Sequence, residues 1–193
     1  MAITATTELE AINTMLSTIG ESPINTLADT PGVVDAVMAR SILKEVSVQV
    51  QEEGWPFNTE REFILTPDIN KQITLPPNCI QVEADGDDTG YLLAQRGQRL
   101  YDRMAHTFSF EKPISTSMIL LFEFEELPQA ARHYIMIRAA RVFQQRMVGS
   151  EVLGSFTEKD EMRARSALKK LEGDTGGFNI LSSNYSVARI LDR

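Results

Sequence analysis

The sequence predicts an α+β fold in which N- and C-terminal helices form an antiparallel bundle, a small antiparallel β-domain is inserted between them, and an extended tail follows. Three observations carry that prediction. Apolar residues recur at helical spacing up to Gly54, they fall into short alternating runs from Glu60 to Glu126, and helical spacing returns at Pro128. The expected divisions are helices over 1–59, the β-rich insertion over 60–127, helices over 128–172 and the tail over 173–193.

Thr7 and Glu10 have the spacing of a capping box, and Leu9, Ile12, Leu16 and Ile19 follow on one helical face until Gly20. A connector with Ser22-Pro23 leads to Thr30 and Pro31, a cap and first-turn pair for a second helix. Its predicted buried stripe is Ala39, Ile42, Val46 and Val50, with Leu43 beside it. Gly54 suits the left-handed residue past a helix end, and Pro56 pushes Trp55 out of the helical region. Trp55 and Phe57 then offer two large apolar surfaces at the helix-to-sheet junction, and they are predicted to form its core.

The runs EFILTP, QITLPP, IQVEADG, YLLAQRG, RLYDR, TFSFEKP and SMILLFEFEE, bounded by Pro, Gly and Asp, predict six or seven strands in one small sheet or sandwich. In the last run Phe122 and Phe124 are expected on one face, and Glu123 and Glu125 on the other. The acids Glu83, Asp85, Asp87 and Asp88 around Gly86 lack EF-hand spacing and read as a hairpin turn. Pro128 opens a third helix to about Val148, with Ala131, Ile135, Ala139, Val142, Phe143 and Met147 toward a core. Thr157 starts a fourth, with Ala164, Ala167, Leu168 and Leu171 as its apolar face. After Gly173 the chain is polar and glycine-rich, with too little apolar surface to fold alone.

The 193 residues carry a net charge of -8, unevenly distributed. Residues 1–59 hold 8 acids and 2 bases, residues 60–127 hold 12 and 6, and residues 128–193 hold 7 and 11. A basic final third on an acidic chain suits either a polyanion site or one half of a head-to-tail protein contact. Arg132, Arg138, Arg141 and Arg146 on the third helix are the candidate subunit-interface residues. No apolar run approaches the roughly 18 residues of a membrane helix, and the first ten residues lack signal-peptide features, so no membrane anchor and a cytoplasmic site of synthesis are expected. Cys79 is the one cysteine, which excludes an intrachain disulfide and points to packing.

No catalytic, cofactor or metal site is predicted. His106 and His133 have no nucleophile or acid motif at their shoulders. Glu123, Glu125 and Glu126 have the chemistry of paired carboxylates but no specific spacing. Gly176-Gly177 lacks both a Walker lysine and dinucleotide spacing.

Several phrases resemble the tail tubular protein A family of short-tailed, T7-like bacteriophages. They are AINTMLSTIGESPINTL from Ala11 to Leu27, EEGWPFNTE from Glu52, LYDR from Leu100, ELPQAARHYI from Glu126, AARVFQQRMVG from Ala139, and GGFNIL from Gly176. They occur in the family's order along nearly the whole chain, with departures in the loop 68–78 and after Ser182. The resemblance implies a virion structural protein, assembled in the bacterial cytoplasm, that forms the adaptor or gatekeeper ring of about twelve copies. Its partners would be the portal protein above, the nozzle (tail tubular protein B) below and tail fibres nearby, with DNA passing through the lumen without sequence-specific binding. The tail residues Leu181, Tyr185, Val187, Ile190 and Leu191 are the candidate portal-docking set. A tail-associated cell-wall or polysaccharide hydrolase is the alternative, and a nucleic-acid-binding regulator a third reading.

Overall fold

Thr7 caps α1 (Glu8–Thr18) through the predicted box: its hydroxyl accepts the Glu10 N–H at 3.1 Å, and the Glu10 carboxylate accepts the Thr7 N–H at 3.0 Å. The computed structural model describes residues 5–28, 33–149 and 158–175. Within them lie three further helices, α2 (Val34–Gln51), α3 (Gln129–Val148) and α4 (Glu158–Thr175), and five strands. The proposed cap at Thr30-Pro31 and the start at Thr157 fall outside the described residues. The chain forms a mixed α+β structure with two compact units, one drawn from 1–43 and 128–193, the other from 44–127. The division falls inside α2.

In the first unit α1 packs on α3, and α3 on α4. Ile12, Met15 and Leu16 from α1 are buried, as are Tyr134, Ile135 and Phe143 from α3 and Leu168 from α4. Because α3 has a helix on two sides, its buried surface is broader than one stripe. Ala131, Ile135, Ala139 and Phe143 are buried as the spacing predicts, Tyr134, Ile137, Ala140 and Gln144 join them, and Val142 and Met147 are only half-buried. Gly149, at φ 67°, ends α3 in the left-handed conformation. The apolar face expected for α4 is corrected: Ala164 and Leu168 are buried, but Ala167 and Leu171 face solvent. The buried stripe steps by four residues through Ala164, Leu168 and Glu172, and a residue one position earlier is rotated by about 100°. The helix also continues through Gly173 to Thr175.

Side chains secure the ends of this unit. Gln129 donates to the Thr6 hydroxyl and accepts the Thr6 N–H, both at 2.7 Å. Asn13 exchanges both of its hydrogen bonds with the backbone of Ile24, holding the connector after α1. Arg40 of α2 pairs with Glu8 of α1 at 2.8 Å.

The second unit contains β1 (Thr59–Leu65), β2 (Cys79–Ala84), β3 (Leu93–Arg96), β4 (Arg99–Asp102) and β5 (Ile114–Leu120). Five strands in two antiparallel sheets stand where six or seven were expected in a small sheet or sandwich: a three-stranded sheet ordered β1-β5-β2, and the β3-β4 hairpin. In register, Phe63 faces Thr116, Val82 faces Met118 and Ala94 faces Tyr101. Ile114, Thr116 and Met118 alternate inward along β5, and with Leu65, Ile73, Leu75, Val82, Leu100 and Phe110 they build the β-core. Cys79 is buried in that core, which pushes its thiol pKa up.

Three runs departed from expectation for identifiable reasons. QITLPP keeps only an isolated bridge between Thr74 and Arg99, since Pro76 and Pro77 cannot donate to a ladder. TFSFEKP likewise reaches only a bridge between Asp102 and Thr107. The last run leaves the sheet after Leu120, and Phe124–Glu126 form a 3₁₀ turn that buries Phe124 and exposes Glu123, Glu125 and Glu126. The acidic segment near Gly86 is not a hairpin turn, because β2 and β3 belong to different sheets. It is a 3₁₀ turn, Gly86–Asp88, capped by Asp85.

Candidate assembly surfaces

The helix-to-sheet junction is built on polar side chains as much as on Trp55. After Gly54 takes φ 71°, Pro56–Asn58 form a 3₁₀ turn, which returns Asn58 beneath Trp55. Asn58 is 2% exposed and uses its whole amide: Oδ1 accepts the Trp55 N–H at 2.8 Å, and Nδ2 donates to Gln51 O and Leu120 O, each at 2.9 Å. Gln51, fully buried, makes both backbone hydrogen bonds of Phe122, accepting its N–H at 2.8 Å and donating to its carbonyl at 3.0 Å. This bridge lets one side chain satisfy the Phe122 backbone just past the end of β5. The indole of Trp55, buried as predicted, donates to Val50 O at 2.8 Å, while Phe57 is half-buried.

Gln51 and Asn58 escaped the sequence reading because their types are ordinarily exposed. The usable signal was the spacing Trp55-Pro56-Phe57-Asn58, since an Asn three residues after an extended Trp can cap the turn's first N–H.

The four α3 arginines do not share one environment. Arg132 donates to Thr6 O at 3.1 Å, and Arg138 donates to the Tyr134 hydroxyl at 3.2 Å. Arg141 binds Glu161 of α4 at 2.6 Å, with Arg138 3.8 Å from the same carboxylate. Arg146 is exposed in the last turn. At least part of this basic face therefore acts within the chain, joining α3 to α4. The five tail residues Leu181, Tyr185, Val187, Ile190 and Leu191 lie outside the described residues.

The groups tested for chemistry have structural roles or face solvent. Asp88 is buried against Lys112 at 2.6 Å and accepts the Ser115 N–H at 2.9 Å. The hydrogen bond from Lys112, then that from Ser115, hold its carboxyl below the ordinary carboxylate range, and Asp88 raises the Lys112 pKa in turn. Glu126 caps its own turn through the Glu123 N–H, and His106 and His133 are exposed. Among the described residues no three His, Cys, Asp or Glu side chains converge on a metal position, and no helix is long and apolar enough to cross a membrane.

What these side chains do is fasten elements together and present charged and apolar faces, Val34, Val37 and Met38 of α2 and Phe63 and Ile64 of β1 among them. Such roles are structural. The sequence model of a family described as tail tubular protein matches residues 9–178. A tail tubular protein A of Klebsiella phage KP34 is 29% identical over 168 residues, which cover 84% of this chain and 86% of that protein. The chain belongs to the tail tubular protein family and is a structural component of a bacteriophage tail, not an enzyme. The hydrolase alternative falls with that assignment.

Proposed function

We propose that this protein forms the adaptor, or gatekeeper, ring between the portal and the tail nozzle of a short-tailed phage. The observation that carries the reading is the match to one family across residues 9–178, which draws on both units. About twelve copies would close the ring through a heterologous contact, each subunit offering one surface to one neighbour and a different surface to the next. The terminal helices would supply the body of the ring, with the α3 arginines Arg132, Arg138, Arg141 and Arg146 on the subunit contact. The tail, through Leu181, Tyr185, Val187, Ile190 and Leu191, would dock on the portal.

The excess of acids suits a conduit. DNA crossing an acidic lumen is repelled rather than retained, so packaging and ejection proceed without a binding site. The test is the mass of the purified protein alone, with portal protein, and with portal and nozzle proteins together, at low and high salt. A closed multimer on the portal that weakens as salt rises is expected. A chain that remains solitary beside both partners overturns the reading.

A further inference from the structure

The second unit contains fifteen acids against seven bases, yet two of those bases stand together at the tip of the β3-β4 hairpin. Gly97, at φ 64°, and Gln98 make a two-residue turn of the Gly-X pattern, so Arg96 and Arg99 face each other as the last pair of the ladder. Both are exposed, and both guanidiniums lie on aromatic rings. The Arg96 guanidinium carbon is 3.5 Å from the centroid of Tyr101, and that of Arg99 is 4.5 Å from the centroid of Phe108. The two rings meet edge to face at 4.8 Å, which makes one stacked block. Gln72 accepts from Arg99 at 3.3 Å, and among the described residues neither arginine pairs with a carboxylate.

A guanidinium held by its face keeps its N–H edge for a planar oxyanion, and less conformational freedom is lost when that partner arrives. The occupant is decided by charge. A nucleic acid approaching this tip would meet the field of a unit carrying eight more acids than bases, whereas a carboxylate surface is what that same unit offers in every other copy. One such surface lies next to the Gln51–Phe122 bridge, where Glu52 and Glu123 follow the bridged residues in sequence and are both exposed.

We propose that the Arg96–Arg99 tip is a further cationic element of the contact between copies, in addition to the α3 arginines, seated on the carboxylates around Glu52 and Glu123 of the neighbouring copy. This rests on the self-assembling ring proposed above. Two charge reversals test it on full-length protein with portal: Arg96→Glu with Arg99→Glu, and Glu52→Lys with Glu123→Lys. In a head-to-tail ring each variant alone sets like charges against each other, while an equimolar mixture alternates and restores attraction at every contact. The expected result is half-assembly at least about tenfold higher in concentration for either variant and recovery in the mixture, with every variant folded by circular dichroism. The milder Arg96→Gln with Arg99→Gln should give a smaller loss in the same direction.

Variants that assemble like the parent, or a mixture that fails to recover, overturn the proposal while leaving the ring intact. A parent chain that does not multimerise on the portal defeats the ring reading itself. Binding of duplex DNA by the parent, lost in the arginine variants whose assembly is normal, would assign the tip to phosphate and also overturn the proposal.

Discussion

Replacing Asn58 by alanine removes three hydrogen bonds from the junction of α2, β1 and β5 while taking away little apolar area. The Trp55 N–H loses its acceptor in a buried site, a cost of about 1–3 kcal/mol. Leu120 O and Gln51 O each lose a donor, about 0.5–1.5 kcal/mol apiece, and Gln51 O sits at the low end because Gly54 N–H still reaches it at 3.1 Å. Together the expected loss is about 2–5 kcal/mol, several times what a typical surface change causes. Trp55 is the only tryptophan and lies inside the network, so its fluorescence during urea unfolding reports on this site directly. Asn58→Asp sharpens the test. It retains an acceptor for Trp55 but turns a carboxylate toward two carbonyl oxygens, which raises its folded-state pKa. The raised group is least harmful below the unfolded Asp value of about 3.9, and its penalty grows as pH rises through the folded pKa. Asn58→Asp should therefore gain on Asn58→Ala as pH falls from 7 toward 4. An alanine variant within about 0.5 kcal/mol of the parent would refute the network argument, and so would a pH-independent difference between the two variants.

Two further outcomes follow from the same unit. Trp55→Ala should cost about 3–5 kcal/mol, read as a lower urea midpoint by circular dichroism, because a buried indole leaves a cavity and Val50 O keeps only the Glu53 N–H at 3.3 Å; an unchanged midpoint would mean that the side chain packs on nothing. Asp88→Asn should be destabilised at neutral pH, with its deficit shrinking as acid is added. The depressed Asp88 pKa contributes stability above about pH 3.9 and loses it as pH falls through the lower folded value. A deficit that stays constant down to pH 2 would show that the Lys112 and Ser115 contacts do not select the ionised form.

The helices were legible because local rules act within a few residues. Thr7 with Glu10, Gly54 and Gly149 mark three helix ends without help from the rest of the chain. Strand number was less legible, because a run such as QITLPP becomes a strand only if a neighbour offers a free edge, and pairing partners are distant in sequence. For Phe122 the partner proved to be the Gln51 side chain, 71 residues away. The arginine tip was hidden for a related reason: Arg96, Tyr101 and Phe108 are unremarkable apart, and only the hairpin stacks them.

The amino-acid order alone determined where α1 caps and where α2 and α3 stop, the mixed α+β class, the uneven charge and, through phrases kept in order along the chain, kinship with phage tail proteins. Those are properties of short windows or of composition, and neither needs a third dimension. Tertiary structure alone decided which helix faces are buried, how many runs become strands, and which polar side chains satisfy the backbone past a strand's end. Burial and hydrogen-bond satisfaction depend on groups brought together from far along the chain, so a polar residue such as Asn58 reads as surface until its partners close around it.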